Sequence, residues 1–318
     1  MQSLQSYRRL CAVIGLILMA VGGCIRPESF TVVLLPDTQN YSEKYPEIYM
    51  AQTEWIKSSA KRDNTKFVIH LGDIVNRAGD ETQWQVADRA HRILDGVVPY
   101  SVVPGNHDMD HQDGQLTRET TLYNKYFPPS RFERYRWYGG HMGRTNANNY
   151  GFFEGGGTRF MVVSLEFAPS DQAIEWAHGV IDAHKDRQVI LATHSYLTRT
   201  GRSTGGHGGL NANSGENLWN KLVRKHENVF MVVCGHISGT RWQTSTNDAG
   251  RTVHEIMFDY QNLAHGGDGW LVPLRFMPAD KVIRVQPYSP VLKQYNTDPE
   301  HMFMLDYDVT SRALRKAS

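Results

Sequence analysis

The stretch Lys66-Phe67-Val68-Ile69-His70-Leu71-Gly72-Asp73-Ile74-Val75-Asn76 places the tightest constraint on this chain. An apolar, β-branched run of strand length is broken by glycine and followed at once by a carboxylate. Asp73 is thereby set at the tip of a strand with buried character. It has to be paired, hydrogen-bonded or bound to a cation there, because a bare buried charge is costly. A single Asp of this kind would read as a turn cap. The pattern recurs, however. Residues 30–35 lead into Asp37 and Gln39, and residues 97–103 lead into Gly105-Asn106-His107-Asp108. Residues 189–192 lead into His194, and residues 229–233 lead into Gly235-His236. In open α/β sheets, ligands bind outside the carboxyl ends of strands, so these tips are expected to converge on one site.

The spacing between the tips gives the architecture. Pro46 is placed to start a helix with Ile48, Ala51 and Trp55 on one face. Asp80 with Gln83 reads as a capping box ahead of Val86, Ala90, Ile93, Leu94 and Val97 at helical spacing. Together with strands at 30–35, 67–71 and 100–103 this is β-α-β-α-β, the signature of a partly parallel sheet. Strands at 159–166 and 188–192 flank a helix capped by Ser170, and Ser214 caps a helix carrying Leu218, Leu222 and Val223. After residue 236 the pattern changes to strands at 241–245, 252–258, 281–285 and 302–307. The expectation is a mixed α/β fold with two packed sheets and outer helices, in one domain spanning residues 30–318.

Two segments break the rhythm. Residues 112–150 read as an insertion, in which Arg131, Arg134 and Arg136 alternate with aromatics. Such interleaving can stack bases, or the Arg side chains can pack on their own rings. Residues 201–215 form a glycine-rich loop that carries His207 but lacks the Gly-Lys-Ser/Thr ending of a phosphate-binding loop. A flap over the site and a plain unstructured loop both fit that composition. Net charge argues against nucleic acid as a partner: it is +1, and without residues 1–23, which carry Arg8 and Arg9, it is −1.

The N-terminus reads as an export signal. Arg8 and Arg9 precede an apolar run from Leu10 to Val21, short for a transmembrane helix, which needs ~20 residues. Val21-Gly22-Gly23-Cys24 follows and resembles a bacterial lipobox. That resemblance implies a signal peptide over 1–23, lipidation of Cys24, a short tether over 24–29, and an exported protein held on a membrane by its lipid. A plain cleaved signal and an uncleaved anchor are the alternatives. Cys11, Cys24 and Cys234 are the only cysteines, so no disulfide framework follows. Cys234 lies in an apolar run and reads as a core residue.

The ordered blocks Asp37-Thr38-Gln39, Gly72-Asp73-Ile74-Val75-Asn76, Gly105-Asn106-His107-Asp108, His194 and Gly235-His236-Ile237-Ser238 resemble the calcineurin-like metallophosphoesterase superfamily. Pro36-Asp37-Thr38-Gln39 and Asp259-Tyr260-Gln261-Asn262 look like an exported bacterial branch. The resemblance implies a four-layer α-β-β-α sandwich with two facing mixed sheets. It also implies a two-metal site at which a metal-activated water hydrolyses a phosphomonoester or phosphodiester. Asp73 resembles the bridging ligand, Asp37 and Gln39 ligands of the first metal, and Asn106, His194 and His236 ligands of the second. His107 resembles the catalytic histidine, with Asp108 expected to orient its ring. Asn76, His207 and Ser238 are candidates for substrate contact or support of the site.

The chain departs from the family pattern twice, with Gln39 and Ser238 where histidine is usual. Oxygen donors suit manganese, magnesium or calcium, whereas the imidazoles of the second site suit zinc, iron or manganese. The expected substrate is a small-molecule, lipid or glycan phosphoester. The alternative function is a non-catalytic, metal-binding surface lipoprotein that keeps the fold.

Overall fold

The computed structural model describes residues 27–205, 210 and 212–307. Cys24 and His207 lie outside these residues.

Alternation along the first strand shows how the layers form. Phe30, Val32 and Leu34 of the strand Phe30–Leu35 face a core shared with Phe160, Val162, Ile190, Phe230 and Phe258 of a second sheet. Val33 and Leu35 point the other way, onto Ile48, Tyr49 and Ile56 of the helix Pro46–Ser59 and Trp84 and Ala87 of the helix Glu81–Arg92. A strand apolar on both faces has to be covered on both. The second sheet does the same. Met161, Val163 and Leu165 face Ile174, Ala177 and Ile181 of the helix Asp171–Ala183 and Leu218 of the helix Gly215–Lys221. The result is helices, sheet, sheet, helices, as expected.

The first sheet has six strands, in the order Phe303–Asp306, Val282–Val285, Val272–Met277, Phe30–Leu35, Thr65–His70, Tyr100–Val102. The last three are parallel, which places the tips before Asp37, Asp73 and Asn106 side by side. In the second sheet Thr158–Leu165, Gln188–Thr193, Val229–Cys234 and Thr252–Asp259 are mutually parallel. Their tips bring up Glu166, His194, His236 and Asp259.

Residues 112–150 do not stand apart as an insertion. Tyr138–His141 and the first residues of Asn149–Gly155 are strands of the second sheet. Arg131 is buried, donates to Asp88 and Asp95, and lies 4.8 Å over the Phe127 ring. Arg134 packs on the ring of Tyr135. These Arg residues therefore pack on rings of their own chain. Ser170 and Ser214 cap their helices through Ala173 N and Asn217 N. Asp80 caps through Thr82 N, but Gln83 does not close a capping box. Its Oε1 accepts from Asn76 N and Arg77 N, so the helix start holds the loop that follows Asp73.

Candidate active site

Each site residue is set by the strand that ends beneath it. His70, the last residue of its strand, is buried and holds the Asp73 loop. Gly72 N–H donates to His70 Nδ1 at 3.1 Å, so Nε2 carries the proton and donates to Thr38 Oγ1 at 2.9 Å. Burial keeps this imidazole well below its ordinary pKa, hence neutral. Asp73 itself has φ +50°, and His236 has φ +76°. Side-chain-bearing residues rarely take this left-handed conformation, and such strain gathers at functional sites.

The carboxylate of Asp73 divides its two oxygens. Oδ1 accepts from His107 N at 3.0 Å, and Oδ2 faces His194 Nε2 at 3.2 Å. The ligand atoms of Asp73, His194 and His236 all lie within 4.8 Å of one another. Phe167 backs both imidazoles, with ring centroids 5.8 Å from His194 and 5.3 Å from His236. Asp37 adds a second buried carboxylate, and His236 N–H donates to its oxygens at 3.3 Å. Asp259 adds a third.

Two glycines let these groups approach. A Cβ on Gly105 would lie 2.1 Å from Asp73 Oδ1, and one on Gly235 would lie 2.2 Å from Asp37 Oδ1. This is the physical reason for the glycines in Gly105-Asn106-His107 and Gly235-His236.

The electrostatics follow from crowding. Burial, with Asp259 and Asp73 nearby, raises the Asp37 pKa well above the carboxylate range. Burial also pushes Asp73 upward, but contact with His194 and the nearby His107 outweigh it and hold Asp73 below its ordinary value. Burial alone would depress His194; Asp73 and Asp37 instead raise it to about 10. A cluster that gathers a proton among three carboxylates is one in which a cation can take the proton's place.

The residues fit divalent cations on a further count. Gln39 Oε1 and Asn106 Oδ1 are buried ligand-type atoms without a hydrogen-bond partner. Buried polar atoms are rarely left so, and both belong to residues expected as ligands. His194 Nδ1 donates to the carbonyl oxygen of Leu71 at 2.8 Å, which leaves Nε2 as the nitrogen facing the site.

Asp108 does not orient the His107 ring. Its carboxylate accepts from Ile74 N and Val75 N at 3.0 Å and from Gly105 N at 2.7 Å, so it ties two strand-tip loops together. Three backbone donors, which a side-chain pattern does not display, claim it. Burial and the neighbouring Asp73 push its pKa up to about 7. Asn76 takes over the ring: its carbonyl oxygen lies 2.8 Å from His107 Nδ1. Ser238 offers its carbonyl oxygen to Arg199 Nε and Nη2. It borders a groove of about 530 Å³ with Arg199, Trp242 and Asp259. A second groove, of about 990 Å³, is lined by Asn76, Arg77, Asn106, His107 and His111.

A family model described as calcineurin-like phosphoesterase matches residues 30–238. The chain belongs to the calcineurin-like phosphoesterase family. It is 36% identical over 298 residues to the uncharacterized protein YvnB of Bacillus subtilis (strain 168), covering 90% of this chain and 22% of that protein. It is 24% identical over 187 residues to a probable cyclic nucleotide phosphodiesterase of Moraxella catarrhalis (strain BBH18), covering 56% of this chain and 60% of that protein. The chain thus spans about a fifth and three fifths of these curated relatives. Its fold is similar to that of purple acid phosphatase PPD1 from yellow lupin (Lupinus luteus) seeds. The TM-score is 0.56 at 14% identity, with 92% of this chain and 56% of that chain covered. Members of this family use divalent metals, and this calcineurin-like phosphoesterase has a candidate group to hold them.

What the sequence blocks did not supply is the support of the site. His70, Phe167 and Gln83 carry no family signature; His70 and Phe167 act through long-range contacts, and Gln83 through backbone donors six and seven residues before it. Asp259 and Gln261 were legible only as a mark of the branch, although Asp259 ends an apolar strand in the same way as Asp37 and Asp73 do.

Proposed function

We propose that this chain hydrolyses phosphoric esters with two divalent cations. Asp37, Gln39 and Asp73 would hold the first, and Asp73, Asn106, His194 and His236 the second. The observation that carries this reading is the convergence of Asp73, His194 and His236 beside two buried, unpartnered ligand atoms, Gln39 Oε1 and Asn106 Oδ1. Bound divalent ions supply Lewis-acid stabilisation of phosphoryl charge and make water nucleophilic near neutral pH. The chain's own residues do the rest. Asp73 holds the His107 backbone through one oxygen and faces His194 with the other. His107, with Nδ1–H held by Asn76, turns Nε2 toward the groove, where it exchanges a proton with the leaving oxygen.

The substrate reading favours a diester. Grooves of about 990 and 530 Å³ flank the site on the His107 and Asp259 sides, room for a group on either side of phosphorus. The similarity to the Moraxella protein, a probable cyclic nucleotide phosphodiesterase, agrees with this. Gln39 and Asp37 favour manganese, magnesium or calcium at the first site; His194 and His236 favour zinc, iron or manganese at the second. Export and anchoring through Cys24 complete the reading, with a small-molecule, lipid or glycan ester near a membrane surface as substrate.

A non-catalytic metal-binding lipoprotein is the second reading, and Gln39 and Ser238 favour it. The fixed orientation of His107 favours the enzyme. The test is hydrolysis of bis-p-nitrophenyl phosphate and p-nitrophenyl phosphate after chelation, with single metals added back. Metal-dependent turnover, greater on the diester, is expected. Metal binding without turnover on either ester would establish the second reading instead.

A further inference from the structure

Gln39 presents a problem that a histidine at the same place would not. Only the oxygen end of its amide can bind a cation, and the two ends are nearly the same size. Something has to choose between them. The structure contains a chain of hydrogen bonds that makes the choice. Asp259 accepts from Gln261 N at 2.7 Å through Oδ1 and from Gln261 Nε2 at 2.7 Å through Oδ2. Gln261 Oε1 therefore faces the other way, where it accepts from Gln39 Nε2 at 2.6 Å. Gln39 Oε1 is left turned from this pair, buried and without a partner.

We infer that Asp259 and Gln261 are positioning residues that lock the Gln39 amide so that its oxygen faces a divalent cation. This rests on the metal-dependent function proposed above. A carboxylate accepts hydrogen bonds and donates none when ionised, so it fixes the first amide, and that amide fixes the second. Flipping either glutamine would set oxygen against oxygen. The fold supports the same arrangement. Asp259 ends the strand beside the one that leads into His236 and stands opposite Gly239. Asn40 Nδ2 donates to the Gln261 carbonyl oxygen at 3.0 Å, binding this turn to the residue that follows Gln39. In effect, three oxygen-bearing residues take over the work of one imidazole.

The test uses the full-length chain, stripped by chelation and titrated with Mn²⁺, with ion counts from elemental analysis and Mn²⁺ electron paramagnetic resonance. Wild type is expected to bind two ions. Gln261→Met is expected to bind one of them about 10–100-fold more weakly and the other unchanged. Gln39→His combined with Gln261→Met is expected to regain two, because an imidazole needs no amide lock. If Gln261→Met does not fold, Asp259→Ala, which removes the acceptor that sets the relay, is read in the same way. Wild-type affinity for both ions in the single variant, or no regain in the double variant, would overturn the inference and leave the proposed function standing. A wild type that binds no Mn²⁺ would overturn both.

Discussion

His107 Nδ1 lies 2.8 Å from the carbonyl oxygen of Asn76, and that contact assigns the proton of the ring. A carbonyl only accepts, so Nδ1 donates and Nε2 is left without the proton. His107→Ala is expected to lower kcat by about 10²–10⁴-fold on an ester with a poor leaving group. The loss should be smaller on p-nitrophenyl esters, whose leaving oxygen needs no proton. Metal content and melting temperature should stay near wild type. Equal losses on both ester types would remove His107 from proton transfer.

Gly235 and Gly105 leave no room for a methyl group beside the carboxylates of Asp37 and Asp73. Gly235→Ala is expected to displace Asp37, weaken metal binding at least tenfold, and cost about 1–3 kcal/mol of stability by overpacking. Isothermal titration with Mn²⁺ and denaturant melts of the stripped protein separate the two effects. Metal affinity equal to wild type would show that the Asp37 carboxylate does not need its present place.

Oxygen donors at the first site should set the metal requirement. Activity after chelation is expected to return with manganese, magnesium or calcium and to stay low with zinc alone. Installing histidine at both Gln39 and Ser238 should tighten that site and move its preference toward zinc or iron. Full wild-type activity with zinc as the sole metal would defeat this prediction.

Acid should destabilise the fold through buried neutral imidazoles. His91 is buried, its Nδ1 donates to the carbonyl oxygen of Ala87, and its Nε2 has no hydrogen-bond partner. Burial, with Arg131 adding to it, lowers its pKa to about 3. An unfolded chain takes up a proton at this residue near pH 6.5, whereas the folded chain does not until about pH 3. Stability is therefore fully present above pH 6.5 and falls as pH drops toward 3, by up to about 5 kcal/mol from this residue. His70 adds to the trend in the same direction. His91→Phe, which cannot titrate, should flatten the dependence between pH 6.5 and 4 in denaturant melts. An unchanged slope would assign the effect elsewhere.

Cys24→Ser is expected to move the protein from the membrane to the soluble fraction or to block processing of residues 1–23. Two acyl signals give stable anchoring where one gives only marginal binding. Mass spectrometry of the mature N-terminus and fractionation read this directly. Unchanged mass and fractionation would exclude the lipid anchor.

The sequence by itself determined the strands and what stands at their tips. Apolar runs of strand length ending in Asp73, Asn106, His194 and His236 are local patterns, and local patterns survive without coordinates. The parallel pairing of Phe30–Leu35, Thr65–His70 and Tyr100–Val102 then sets the first three tips side by side. Val272–Met277 was not among the expected strands; Pro273 within it lacks a backbone donor, and its pairing with the first strand is a tertiary contact. Tyr138–His141, with two glycines, is a strand only because Asn149–Gly155 is beside it. Tertiary structure alone decided who supports whom at the site. Asp108 is taken by three backbone donors, Asn76 orients His107 through its carbonyl, and Gln261 reaches Gln39 across 222 positions of sequence. Backbone donors and distant amides leave no mark in a residue pattern. Their partners are chosen by burial, which requires every polar group brought inside to find one.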